Sequence, residues 1–186
     1  MRLTVITGPM FAGKSTALTS HVRRWRIAGR KVLVVKPLVD TRSEAVRTHD
    51  GLQVETYRVP DADLAPLLAT AHERYLAVDE AQFFSPDALT RALSVWQGQH
   101  AIVAGLNRDY RGQPFPSIAT VLPFADEIIT VEAICTNGLA DGVCGAPASH
   151  TQFMVNGVPV TDGDTATAVG GSESYQARCW SCLVRP

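Results

Sequence analysis

Long apolar runs are missing from this chain of 186 residues. None approaches the roughly 18–20 residues that cross a bilayer. Neither sign of charge predominates: 17 Lys plus Arg stand against 18 Asp plus Glu, a formal net charge of −1. That balance removes the electrostatic case for general nucleic-acid or anionic-membrane binding. Cysteine is scarce, with four residues and none before Cys135. Met1-Arg2 followed by apolar residues has the look of a short signal peptide. A glycine-rich loop occupies the place of its apolar region, so no export signal is expected. The thiols are therefore expected to be reduced or metal-bound, in a cytoplasmic protein, rather than disulfide-linked. Repeats, heptads and low-complexity segments are absent too. The 46% apolar content is that of an ordinary globular protein. The length suits one sizeable core plus an appendage.

The most informative stretch present is Gly8-Pro9-Met10-Phe11-Ala12-Gly13-Lys14-Ser15-Thr16, which fits G-x-x-x-x-G-K-[ST]. It follows an apolar run that reads as a buried strand and precedes a helix-compatible stretch. Glycines let backbone N–H groups curl around phosphate oxygens, and the following helix aims its positive end at the same anion. Lys14 then reaches the outer phosphates, and the Ser15 hydroxyl is suited to Mg²⁺. The plainer alternative is an ordinary glycine-rich turn between strand and helix.

Downstream, apolar runs expected to be strands fall at 31–36, 54–59, 75–78, 100–106 and 128–131. Helix-compatible stretches fall at 14–28, 61–73 and 86–98. Residues 39–51 read as a polar, mobile loop. Strands alternating with helices imply an α/β fold, a parallel sheet with flanking helices. After about Glu132 the composition shifts to cysteine and glycine with little helical periodicity. Asn156-Gly157 within 155–160 signals a hairpin. The expected division is an α/β nucleotide-binding domain at 1–132 and a small β-rich, metal-stapled domain at 133–186.

The strand at 75–78 ends in Asp79-Glu80. In phosphate-loop proteins an acid here holds Mg²⁺, and a neighbouring acid can accept a proton from a nucleophile. Asp79 is assigned to Mg²⁺ and Glu80 to the general base; the alternative is a solvated acidic strand end. Phe83 and Phe84 follow, suited either to a nucleobase or to the core. Cys179 and Cys182 form a C-x-x-C pair, whereas Cys135 and Cys144 are spaced C-x₈-C. Only the sulfurs must converge, so four-cysteine zinc is the first reading. In the second, Cys135 is a core thiol and Asp141 or His150 completes the site. No open coordination position is suggested, so the metal is read as structural.

Three motifs in order, GPMFAGKST at 8–16, DEAQFF at 79–84 and GLNRDYRGQPF at 105–115, precede VGGSESY at 169–175 and the last cysteine pair. Together they resemble the zinc-containing thymidine kinases of the phosphate-loop type, over nearly the whole chain. The resemblance implies ATP-dependent phosphorylation of thymidine, with deoxyuridine accepted, Mg²⁺ accompanying ATP, and a structural Zn²⁺ on Cys135, Cys144, Cys179 and Cys182. It implies that Gly8 to Ser15 cradle the triphosphate, with Asp40, Thr41, Arg42, Asp79, Glu80, Ala81 and Gln82 on the ATP and Mg²⁺ side. Lys14, Glu80 and Arg42 become the catalytic set. Met10, Phe83, Leu106, Tyr110 and Phe115 match walls of the thymine pocket. Ala166, Thr167, Ala168, Val169, Gly170 and Tyr175 match a lid that reads the base largely through its backbone. The resemblance also implies a homotetramer and feedback inhibition by thymidine triphosphate. Three departures stand out: Tyr110 where the family has Phe, the stretched first cysteine pair, and Trp180 in place of Arg. The competing function is a nucleotide-dependent ATPase switch whose zinc module contacts nucleic acid, against which the near-neutral charge argues.

Overall fold

Runs of Val, Ile, Leu and Ala build the centre of the molecule. The computed structural model describes residues 1–40, 46–47, 53–140, 142–161 and 174–185. Six parallel strands form one sheet in the order β5-β2-β6-β7-β1-β8. They are β1 (Arg2–Gly8), β2 (Val32–Pro37), β5 (Tyr57–Val59), β6 (Tyr75–Val78), β7 (His100–Leu106) and β8 (Glu127–Thr130). Between β2 and β5, β3 (Val46–Arg47) and β4 (Gln53–Val54) pair as a separate antiparallel ladder. The rest of the stretch expected to be a polar loop lies outside the described residues, apart from Val39 and Asp40.

Side chains alternate across the sheet, as a doubly covered parallel sheet requires. Leu3, Val5, Leu33, Val35, Leu76, Val78, Ala101 and Val103 face one apolar layer. There they meet helices α2 (Asp61–Thr70), α3 (Pro86–Val95) and α4 (Pro116–Val121). Ile6, Val34, Ala77, Ile102 and Ala104 face the other, against Leu18 and Val22 of α1 (Lys14–Ile27). The class is α/β with helices on both faces, as the alternation of elements predicts.

Several boundaries differ from the sequence pattern. Helices α2 and α3 end three residues before the expected stops, at Thr70 and Val95. After α3 the backbone becomes extended at Trp96, whose ring is buried in the core. Tertiary packing overrides local propensity there. Pro37 closes β2 from within as its last residue. The six-residue helix α4 is too short to announce itself by periodicity.

Beyond β8 the chain forms only short antiparallel pieces. β9 (Ala133–Ile134) pairs with β12 (Pro147–Ala148), and β10 (Gly138–Leu139) with β11 (Gly142–Val143). β13 (His150–Val155) lies between β14 (Val158–Val160) and β15 (Tyr175–Arg178). Asn156 and Gly157 turn the β13–β14 hairpin with φ of 51° and 78°, the left-handed pair that an Asn-Gly hairpin adopts. The buried cluster here is Ala133, Cys135, Ala148, Ala177 and Cys179. Among the described residues, no helix is long and apolar enough to cross a membrane.

Candidate active site and metal centre

The site gathers at the carboxyl ends of the parallel strands. The chain leaves β1 at Gly8, where a Cβ would stand 2.2 Å from the Val131 carbonyl oxygen, so no larger residue fits. Phe11 and Gly13 both adopt left-handed φ, 65° and 79°. This curls the loop so that α1 begins at Lys14 with its amino end toward the loop's concave side. Such a curl with a helix amino end is an anion site. Lys14 folds back over the loop, and its Nζ donates to the Pro9 carbonyl at 2.6 Å.

One strand, β7, separates β1 from β6, whose end carries the two acids. The Ser15 hydroxyl donates to Asp79 Oδ1 at 3.2 Å, joining loop and acid directly. Asp79 is buried, and its carboxyl is pushed up to about 7. Desolvation is the main cause and the Glu80 charge the second; Ser15 and Lys14 act the other way. A cation against Asp79 would favour the ionised form. A serine hydroxyl and a carboxylate oxygen at one point are the hard oxygen donors that Mg²⁺ takes. These two side chains therefore fit the ion that accompanies a bound triphosphate.

Successive strand residues face opposite ways, but Glu80 has φ 50° and ψ 37°. A left-handed non-glycine residue is strained, and such strain concentrates at functional sites. Here it re-aims the chain immediately after Asp79. Gln82 then bridges two partners: its Nε2 donates to Glu80 Oε2 at 2.5 Å, and its Oε1 accepts from the Leu106 amide at 3.1 Å. Of the D-x-R stretch, Asp40 is buried and paired with buried Lys36, Nζ to Oδ2 at 3.3 Å. Thr41 and Arg42 lie outside the described residues.

Among the residues expected to wall a nucleoside, Tyr110, Phe115 and Tyr175 are buried, and Met10, Phe83 and Leu106 are partly exposed. Phe115 belongs to the apolar layer beneath the sheet. Tyr110 and Tyr175 are joined through Phe153 on β13, with ring centroids at 5.3 and 5.1 Å. Phe153 had no motif to mark it; it lies in the short apolar run Phe153-Met154-Val155 that ends β13. Ala166, Thr167, Ala168, Val169 and Gly170 lie outside the described residues.

The four cysteines converge, their sulfurs all within 4.8 Å of one another. They are reduced. Cys144 and Cys179 sulfurs are 3.8 Å apart. A tetrahedral zinc with bonds of about 2.3 Å sets its sulfurs about 3.8 Å apart, so the cluster fits such an ion. Cys135 belongs to it despite the eight-residue gap, because β9 and β12 pair and bring Cys135 back beside Cys144. His150 is engaged elsewhere. Arg108 only donates, so His150 Nε2 accepts from it at 3.3 Å and Nδ1–H donates to Ser149 Oγ at 3.0 Å. Asp141 lies outside the described residues. Desolvation and the neighbouring thiols push Cys182 up to about 12, resistance that a divalent cation relieves.

The cysteine cluster also touches the phosphate loop. Ala12 packs against it, and the Met10 amide donates to Thr151 Oγ at 3.1 Å. Nothing in the sequence pattern marks Thr151 for this task.

A phosphate loop, a carboxylate pair one strand away and a four-sulfur centre packed on that loop form a restrictive combination. The family model for thymidine kinase matches residues 1–183. This chain belongs to the thymidine kinase family. A thymidine kinase from Pyrobaculum aerophilum is similar at 42% identity over 189 aligned positions, covering 99% of each chain. Another from Thermococcus kodakarensis is similar at 40% identity over 186 positions, 95% of this chain and 91% of that one. The likeness thus spans both the sheet and the cysteine-bearing part.

Proposed function

We propose that this chain transfers the γ-phosphoryl group of ATP to the 5′-hydroxyl of thymidine, giving thymidine monophosphate and ADP, and that it also accepts deoxyuridine. The observation that carries the reading is the Ser15–Asp79 contact at the mouth of the phosphate loop, with Glu80 turned out beside it. The loop 8–15 holds the β- and γ-phosphates through its backbone N–H groups, together with the positive end of α1. Pro9 has no N–H to give, and that of Met10 is engaged by Thr151. Lys14 moves from the Pro9 carbonyl to the phosphate oxygens. Ser15 and Asp79 would hold the Mg²⁺ that accompanies ATP, and the ion would neutralise charge on those phosphates. Glu80 takes the proton from the 5′-hydroxyl. The oxygen then forms its bond to the γ-phosphorus as the bond to the β–γ bridging oxygen breaks, and ADP leaves with that electron pair. Arg42 supplies positive charge to the transferring group. Ala81 and Gln82 continue the ATP-side stretch.

Met10, Phe83, Leu106, Tyr110, Phe115 and Tyr175 enclose the nucleoside, and residues 166–170 close over it through their backbone. Zn²⁺ on Cys135, Cys144, Cys179 and Cys182 is structural. On this reading the chain divides at 132/133 into a nucleotide-binding domain and a zinc-bearing lid domain. By likeness to the family it is a cytoplasmic homotetramer inhibited by thymidine triphosphate.

The test is a panel of nucleosides with ATP and Mg²⁺, with product identified by mass. Thymidine and deoxyuridine should each give a 5′-monophosphate. Turnover of another nucleoside with neither of these would reject the substrate assignment. A low-salt titration with DNA and RNA addresses the ATPase-switch alternative; the near-neutral charge predicts no binding.

A further inference from the structure

Gln82 does more than continue a motif. Its side chain is buried and spans from Glu80 to the end of β7. The chemistry fixes which end faces which partner. The Leu106 amide can only donate, so it must meet the carbonyl end, Oε1. The planar carboxamide then turns Nε2–H toward Glu80, and the N···O distance there is 2.5 Å. The space around the amide is tailored. A Cβ on Gly105 would stand 3.0 Å from Gln82 Oε1 and 2.6 Å from Ile118 Cδ1, so any larger residue there would push against the amide or the Ile118 side chain.

We propose that Gln82 is a positioning residue for the phosphoryl transfer. It holds the Glu80 carboxylate in register with the strand end at Leu106, which walls the nucleoside pocket. This inference rests on the kinase reading above and on Glu80 as its base. The strained turn at Glu80 gives the arrangement its purpose. A carboxylate on a left-handed residue at a strand end needs a second anchor to keep one direction, and Gln82 is that anchor. Because Gln82 also fixes Leu106, one amide ties the proton acceptor to the wall that orients the proton donor. Misplacing a reacting group by about 1 Å costs on the order of a hundredfold in rate.

The experiment measures kcat and KM for thymidine and ATP across pH in Gln82→Met and Gln82→Glu, each alone and combined with Glu80→Gln. Thermal melting is followed in parallel. Gln82→Met removes both hydrogen bonds; Gln82→Glu keeps the acceptor for Leu106 and so guards against a simple folding defect. Gln82→Met is expected to lower kcat on the order of tenfold to a hundredfold with both KM values nearly unchanged. Gln82→Glu sets a carboxylate against Glu80, so its rate falls once both are ionised, at pH values above the carboxylate range. The rate recovers as pH drops and the new side chain gains a proton to donate. In the Glu80→Gln background neither substitution should cost much more. Wild-type kcat in Gln82→Met overturns the proposal. So does an equal loss with and without Glu80, and in that case the kinase reading stands. Full activity in Glu80→Gln removes the base itself and this inference with it.

Discussion

The sheet and the cysteine-bearing part of this molecule reach order by different routes, yet they meet at one loop. The sheet buries two layers of Val, Ile and Leu against four helices. The apolar cluster around the cysteines is three alanines and two cysteines, with Met154 and Tyr175 the larger apolar side chains buried elsewhere in that part. Alanine methyls contribute little transfer free energy compared with the branched side chains of the sheet. What the second part has instead is four sulfurs at metal-ligand spacing. A metal held there would take the place of a larger core, as it does in small metal-stapled domains. The phosphate loop leans on both parts, through β1 behind it and through Ala12 and Met10 in front.

Removing the metal should separate the two parts most sharply. Structural zinc sites contribute about 10 kcal/mol or more to folding. Chelation, or Cys179→Ser, is therefore expected to abolish hydrogen-exchange protection in β9, β12, β13 and β15 while amides of β1, β6 and β7 stay protected. Equal loss in both would erase the distinction. Cys135→Ser should likewise release the metal; full retention would place the fourth ligand elsewhere. The converse cut is Ile102→Ala, in the fully buried α1 layer. It should destabilise the sheet by about 2–5 kcal/mol in denaturant titration and leave the metal content unchanged.

Smaller effects probe where the parts meet. Thr151→Val takes the acceptor from the Met10 amide, at a cost of about 1 kcal/mol. ATP binding should weaken roughly fivefold, with melting little altered. Unchanged affinity would mean that the loop holds its shape without the second part. The least effect is in protons. Asp79 has its carboxyl raised from the ordinary 3.8 to about 7, first by burial. A raised carboxyl favours the folded, nucleotide-free protein less as pH climbs through that window, because the unfolded chain has already ionised. Binding of Mg²⁺ with ATP selects the ionised form, so it should release protons below neutrality and fewer above. Calorimetry in buffers of different ionisation enthalpy reads this directly; no buffer dependence at any pH would contradict the cause given for Asp79.

The sheet was largely legible in the sequence because each strand is a short apolar run bounded by Gly, Pro or charge. The phosphate loop and Asp79-Glu80 were legible because their chemistry demands particular residues at particular spacing. Other features depended on the fold. Helix α4 is six residues long, below any useful period. The C-x₈-C pair becomes one half of a compact cluster only when β9 and β12 pair. Phe153, Thr151 and Arg108 act by reaching across from one part to the other, and such contacts leave no local pattern. Gln82 sits inside a recognised motif, but its two partners are 2 and 24 positions away.

The site at the junction stands on Glu80. The most direct measurement is the rate of phosphoryl transfer from ATP to thymidine at saturating concentrations in Glu80→Gln beside the unaltered protein, with ATP binding and metal content measured on both. General-base removal costs about 10²–10⁴-fold. A kcat reduced by that factor, with binding and metal retained, is the predicted result. Unaltered kcat in Glu80→Gln would contradict the account.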